Sequence, residues 1–89
     1  MMEENPRKPF RNLHAENISS LDAGDLNNWA SIIKEARAGG VTKQDFCEKL
    51  SCVWSTVVRW EDGVTAPGIH SRQMIKSRLI TMLETRPAL

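Results

Sequence analysis

Residues 41–63, VTKQDFCEKLSCVWSTVVRWEDG, decide the fold, because they predict two short helices joined by a tight turn. Thr42 and Asp45 stand three residues apart at the start of the first helix, a spacing at which a hydroxyl and a carboxylate cap backbone N–H groups reciprocally. Apolar side chains then share one side of that helix: Phe46, Cys47 and Leu50. The pattern predicts a helix of about two turns, with the turn at residues 51 and 52.

A second helix restarts near Val53. Its apolar stripe falls at positions i, i+4 and i+7: Val53, Val57 and Trp60. A rotation of about 100° per residue brings another set together on the opposite side: Ser55, Val58, Arg59 and Asp62. Trp54 lies on the flank of that side. Gly63 stands where a helix C-terminus favours glycine, and Pro67 prevents a continuation. The side of the helix opposite the apolar stripe therefore carries polar side chains of the kind that contact base edges in a DNA groove.

The stretch resembles the helix-turn-helix of the phage-repressor/Cro-like (XRE) family. The resemblance covers residues 26–83 and is densest over residues 55–63, S-T-V-V-R-W-E-D-G. This stretch approximates the motif Ser-x-x-Ile/Val-x-x-Trp/Leu-Glu-x-Gly that members commonly show, with one residue fewer before the Trp. Two positions depart from the family pattern. Ser51 replaces the usual turn glycine, and Val53 replaces the usual Ser or Thr cap. Ser51 is an alternative cap, so the start of the second helix stays open by a residue or two.

The chain of 89 residues is long enough for one small domain only. Residues 1–20 contain two prolines, scattered charge and no periodicity, and are predicted to form a flexible arm that can be deleted without loss of the fold. Residues 21–85 are predicted to form the helix-turn-helix domain, and residues 86–89 a tail. Periodicity and resemblance together predict an all-α fold, a compact four- to five-helix lambda-repressor-like domain.

Two further helices flank the central stretch. The first has an apolar stripe, Leu26, Trp29, Ala30, Ile33 and Ala36, and is ended by a Gly-Gly pair at residues 39 and 40. Asp25 or Asp22 is its predicted cap. The last helix is predicted over residues 69–84, with a buried stripe of Ile75, Leu79 and Met82. Met74 and Ile80 point away from that stripe, either as ordinary surface or as a dimer contact.

The resemblance also implies an ion pair and a class of protein. Family members often pair an Arg late in the first helix with the Glu of the W-E dipeptide, which here means Arg37 and Glu61. Residues 83–89, LETRPAL, resemble the L-E-x-x-P-x-L ending of compact members, among which antitoxin-type regulators are frequent.

The candidate base-reading residues lie on the second helix. The planar fork of Arg59 can donate two hydrogen bonds to a guanine, worth about 1–3 kcal/mol of discrimination. Ser55 can bond to a base or a phosphate, and Val58 suits a thymine methyl. Trp54 either contacts a thymine methyl or a sugar, or belongs to the core. Asp62 either opposes DNA binding or accepts from a cytosine amino group.

The candidate phosphate-binding residues lie nearby. Lys43 corresponds to a position where family members often place a Gln that touches phosphate, and the Thr42 hydroxyl stands beside it. Thr56 is assigned to the phosphate contacts with them. Three cations of the arm, Arg7, Lys8 and Arg11, form either part of a solvated tail or an arm that follows the DNA backbone.

The net charge of +1 and the pI near 7.8 are low for a strong nonspecific DNA binder. We therefore expect affinity to rest on a few placed contacts and on dimerisation. The sequence contains no recognisable catalytic arrangement, metal-ligand spacing or membrane span, so we expect no enzyme, cofactor, metal or membrane partner and a cytoplasmic location. Cys47 and Cys52 are read as unpaired, with Cys47 serving in packing.

These patterns predict a sequence-specific regulator of transcription that binds double-stranded DNA. A homodimer would repress by occluding a near-palindromic operator, with its two reading helices about 34 Å apart. One alternative keeps the fold in an antitoxin or phage-system regulator that also binds a partner protein such as a toxin. The other is a protein-interaction module that has lost DNA binding.

Overall fold

The computed structural model describes residues 12–85. Within that range the chain forms five α-helices and one 3₁₀ turn and no strand, which confirms the predicted all-α fold. The elements are α1 (Leu13–Ser19), the 3₁₀ turn (Leu26–Asn28), α2 (Trp29–Ala38), α3 (Lys43–Lys49), α4 (Trp54–Glu61) and α5 (Arg72–Glu84).

Helix α2 is the centre of the domain, since α1, α4 and α5 all pack against it. Four of its side chains are buried: Trp29, Ile32, Ile33 and Ala36. Complete burial of an isoleucine contributes about 1.5–3 kcal/mol. Trp60 of α4 meets Trp29 edge-on, with ring centroids 6.3 Å apart. The packing of α4 on α2 sets the position of the helix that carries the candidate DNA-reading residues.

The start of α2 differs from the prediction. Asp25 caps a 3₁₀ turn through Asn27 N–H, and the α-helix begins only at Trp29. The helical phase is therefore broken before residue 29, and Leu26, which was predicted to lie in the buried stripe, is 59 % exposed. Ile32, which the predicted stripe did not include, is completely buried within α2. The end is as predicted, because Gly40 has a φ of 106° and reverses the chain after Ala38.

The prediction of a flexible arm over residues 1–20 was wrong for its last part, where α1 forms. Asn12 caps α1 through Ala15 N–H, and Ala15 and Ile18 are buried against the core. Asn12 Nδ2 also donates to Leu83 O at 3.0 Å, which ties the start of α1 to α5. The folded domain thus begins before residue 21. Arg7, Lys8 and Arg11 lie outside the described residues, as does the tail of residues 86–89.

Helix α5 packs against α1 and α2. Its predicted stripe is confirmed, because Ile75, Leu79 and Met82 are buried, together with Leu83. The helix begins three residues later than predicted, and Ile69 in the preceding loop is 71 % exposed. Ile80, predicted to point outward, is partly buried against the core, whereas Met74 is exposed.

Candidate nucleic-acid interface

The N-terminus of α3 has the predicted capping box. Asp45 N–H donates to Thr42 Oγ1 at 3.1 Å, and Thr42 N–H donates to Asp45 Oδ2 at 3.0 Å. The Thr42 oxygen acts here as an acceptor, so its hydroxyl hydrogen is left for another partner. Thr42 is exposed, as the predicted phosphate contact requires.

The turn between α3 and α4 contains a residue with positive φ. Ser51, which stands where the resembled family favours glycine, has a φ of 56°. The left-handed region is unfavourable for a residue with a Cβ. Cys52 N–H donates to Phe46 O at 3.4 Å, which helps to close the turn on α3. The predicted turn is confirmed at the predicted residues.

The beginning of α4 settles a question that the sequence left open. Val53 is the N-cap residue in an extended conformation without a side-chain cap, and the helix starts at Trp54. Ser51 does not cap it. Because Val53 precedes the helix, the helical phase does not apply to it, and its side chain is 66 % exposed. Its predicted place in the buried stripe was wrong, while Val57 and Trp60 are buried as expected.

The outer face of α4 presents Ser55 and Arg59 one turn apart, and both are exposed. Neither side chain has a hydrogen bond or ion pair with any described residue. The guanidinium of Arg59 therefore keeps its donors available for a ligand. Thr56 and Val58 are half-buried beside them, and Asp62 is exposed at the end of the helix. The geometry thus brings together most of the predicted DNA-contacting residues on one helix.

The predicted ion pair between Arg37 and Glu61 forms, since Arg37 Nη1 donates a hydrogen bond to Glu61 Oε1. The side chains are 43 % and 20 % exposed, so the pair lies at the surface and is partly screened by solvent. It joins the last turn of α2 to the last residue of α4.

Trp54 lies half-buried at the start of α4, where its ring packs against Phe46 with centroids 6.0 Å apart. Two cations approach the same ring. The Arg37 Cζ atom is 5.1 Å from the ring centroid, and the Lys43 Nζ atom is 5.8 Å from it. Trp54 is therefore in contact with both the core and the charged surface.

A cleft of about 720 Å³ lies where α2, α3 and α4 meet. The cations at its wall are Lys34, Arg37 and Lys43, against the single carboxylate of Glu61, and Trp54 lines it too. The cleft is therefore positively charged although the chain is almost neutral. The prediction missed Lys34 as a member of this surface. The available signal was its i, i+3 spacing from Arg37, which places both on one side of α2.

Cys47 lies on α3 and Cys52 in the turn that follows it, and both are half-buried. The Cys52 thiol donates to Leu50 O at 3.5 Å. Burial, followed by the nearby Cys47, raises the pKa of Cys52 above its ordinary value. A thiol with a raised pKa forms less thiolate and reacts more slowly.

Across residues 12–85, no group of three or more His, Cys, Asp and Glu side chains is arranged to hold a metal ion. In the same range, no helix is both long and apolar enough to cross a bilayer.

The fold is that of a small all-α protein with a helix-turn-helix formed by α3 and α4. No protein-family model, no curated protein and no solved structure matches the chain.

Proposed function

We propose that this protein is a sequence-specific double-stranded DNA-binding regulator of the XRE-like helix-turn-helix type. It acts in the cytoplasm as a homodimeric repressor. One observation supports this proposal above the others: Arg59 and Ser55 stand on the exposed face of α4 without partners among the described residues. In a helix-turn-helix, the exposed second helix enters the major groove, and its free polar side chains form hydrogen bonds with base edges.

Base recognition is assigned to α4. Arg59 donates two hydrogen bonds to O6 and N7 of a guanine, which discriminates by about 1–3 kcal/mol. Ser55, one turn earlier, bonds to a base edge or a neighbouring phosphate. Val58 supplies apolar contact to a thymine methyl group.

Backbone contacts are assigned to residues beside that face. Lys43 and the Thr42 hydroxyl lie at the start of α3, next to the positive cleft, and Thr56 lies on α4. Contacts to phosphate orient a protein on the duplex without reading its sequence. The low net charge of +1 implies few such contacts, so a dimer is needed for useful affinity.

Repression follows from occlusion. Two copies related by a two-fold axis would place their α4 helices in successive major grooves, about 34 Å apart, on a near-palindromic operator. Met74, exposed on α5, is a candidate for the contact between the copies.

The test is selection of bound duplexes from a randomised DNA pool at a stated salt concentration, with wild type and Arg59→Ala in parallel. Lys49→Ala is the matched control for Arg59→Ala, because it also removes one positive charge. Lys49 is the last residue of α3 and is not among the predicted DNA contacts. We expect a two-fold symmetric site for wild type and Lys49→Ala, and loss of discrimination for Arg59→Ala. A uniform loss of affinity across all sequences would assign Arg59 to phosphate instead.

Lys43→Ala tests the backbone assignment separately. We expect it to weaken binding evenly across sequences and to lower the slope of log K against log salt by roughly one unit. An unchanged slope would remove Lys43 from the phosphate contacts.

A protein partner is the second candidate, either in a bifunctional regulator of the antitoxin kind or in a pure interaction module. Its support is the near-neutral charge and the exposed apolar side chains of Val53, Val64 and Ile69. Failure of the pool selection to enrich any sequence would favour the interaction module over the repressor.

A further inference from the structure

Trp54 is half-buried, and its ring packs against the hydrophobic core. The indole packs on Phe46 of α3 at 6.0 Å between centroids, with an interplanar angle of 54°. Phe46 is itself completely buried, so its ring is a rigid support. Trp54 is also the first residue of α4, next to the turn that fixes the start of the helix.

Two cationic side chains from two other helices contact the Trp54 ring. Arg37 of α2 and Lys43 of α3 lie 5.1 and 5.8 Å from its centroid. Both distances fall within the range of about 6 Å over which a cation is attracted by an aromatic face.

The two cations depend on Trp54 to different degrees. Arg37 has a second anchor, because it donates a hydrogen bond to Glu61. Lys43 is exposed and has no hydrogen bond or ion pair with any described residue. The contact of its ammonium with the Trp54 ring, at 5.8 Å from the centroid, favours the rotamers that keep Lys43 beside that ring. A free lysine side chain loses much rotamer freedom when it binds a ligand, and a lysine already held loses less.

We propose that Trp54 is a positioning residue that holds Lys43, and secondarily Arg37, at the rim of the cleft for contact with the DNA backbone. Its ring is engaged by Phe46 and these cations and does not read a base. The inference rests on the proposed DNA binding for its functional part. Its structural part, the capture of Lys43 by the ring, holds without DNA.

The structural part is tested by NMR of the free protein. The Trp54 ring current should shift the Lys43 ε-methylene and Arg37 δ-methylene protons upfield of their random-coil positions. In Trp54→Leu both should move to random-coil values, whereas Trp54→Phe, which keeps a ring on Phe46, should retain part of the shift. Random-coil shifts for Lys43 in the wild-type protein would overturn the proposal.

The functional part is tested by a double-mutant cycle on a nonspecific duplex. Trp54→Leu should weaken binding about two- to fivefold, the range that a cation–π contact supports, and Trp54→Phe should weaken it less. In the Lys43→Ala background the effect of Trp54→Leu should largely disappear. An equal loss in both backgrounds would show that Trp54 does not act through Lys43.

Other outcomes remain distinguishable. Thermal unfolding of each variant shows whether Trp54→Leu still folds, and Trp54→Phe keeps the test valid if it does not. A changed operator with unchanged nonspecific affinity in Trp54→Leu would make Trp54 a base reader and overturn the proposal. If the wild-type protein binds no DNA, the proposed function fails, while the NMR shifts still decide whether the ring holds Lys43.

Discussion

Arg37 donates a hydrogen bond to Glu61 and so connects the C-terminal turn of the central helix α2 to the last residue of α4. The buried side of α4 is already set by Val57 and Trp60. The ion pair adds a second attachment at the surface, which restrains rotation of α4 about its own axis. Arg59 and Ser55 lie on the exposed side of the same helix.

Glu61→Gln should lower the free energy of unfolding by about 0.5–1 kcal/mol, because the pair is partly exposed and solvent screens it. Asp62→Asn is the control, since the next carboxylate along has no partner among the described residues and its loss should change stability by only a few tenths. Chemical denaturation at low and high salt measures the effect. A loss that is the same for both variants would contradict a specific role for Glu61.

Ser51→Gly should stabilise the protein by roughly 0.5–1 kcal/mol, because Ser51 holds a φ of 56° and glycine has no Cβ to strain there. The gain is smaller than the strain alone, since glycine also raises the entropy of the unfolded chain. The reciprocal change is Gly63→Ala, at a φ of 79°, which should destabilise by about 1 kcal/mol. Urea unfolding of the pair checks both signs, and a destabilised Ser51→Gly would contradict the strain argument.

Gly39→Ala should destabilise the protein by about 1–3 kcal/mol through overpacking. A Cβ at Gly39 would lie 2.5 Å from Leu83 Cδ2 and 3.0 Å from His14 Cβ, and Leu83 is completely buried. Gly68→Ala is the matched control, because no heavy atom lies within 4 Å of the added Cβ. Thermal and urea unfolding should show a lower free energy of unfolding for Gly39→Ala than for Gly68→Ala. Equal values would show that α1 and α5 can move away from the added methyl group without loss of stability.

Ile18→Ala should destabilise by about 2–5 kcal/mol, the usual cost of truncating a completely buried isoleucine. Leu13→Ala on the same helix is the control, since Leu13 is exposed and its truncation should change stability little. Removal of residues 1–20 should also lower stability, contrary to the expectation from sequence. Urea unfolding of the three proteins measures this, and a truncated chain as stable as the full one would show that α1 contributes nothing.

His14→Ala should raise the pKa of Glu35. Glu35 Oε1 accepts a hydrogen bond from His14 Nδ1 at 2.7 Å, and this bond, followed by one from Asn17, lowers the pKa of the carboxyl. A lowered carboxyl pKa adds stability above the ordinary Glu pKa, and that stability is lost as pH falls through the folded-state value. NMR titration of the Glu35 carboxyl carbon gives both midpoints. His70→Ala, in the exposed loop before α5, should leave the midpoint unchanged, and an unchanged midpoint in His14→Ala would contradict the assignment.

The central helix-turn-helix was predictable because its signals are local. The Thr42–Asp45 capping box involves neighbours in sequence, and the buried pair Val57 and Trp60 follows from helical periodicity alone. The pairing of Arg37 with Glu61 is long-range and came from the family resemblance. Helical periodicity, by contrast, placed Val53 wrongly in the buried stripe. Val53 is the N-cap residue in an extended conformation, so the helical phase does not extend to its side chain.

Helix α1 could not be predicted in the same way. Its seven residues bury only Ala15 and Ile18, too few for a periodic pattern, and a helix of that length is not stable by itself. Its stability comes from packing against α2 and α5, which no local pattern records.

The sequence by itself determined the helical class, the turn at Ser51 and the polar face of α4, because caps, periodicity and turn chemistry act between near neighbours. Only the tertiary structure decided that Lys34, Arg37, Lys43 and Trp54 share one positively charged cleft. Those residues come from three helices, and their proximity follows from how α3 and α4 pack around α2. The net charge of the chain is nearly zero, whereas the packing of the helices gathers positive charge in this one cleft.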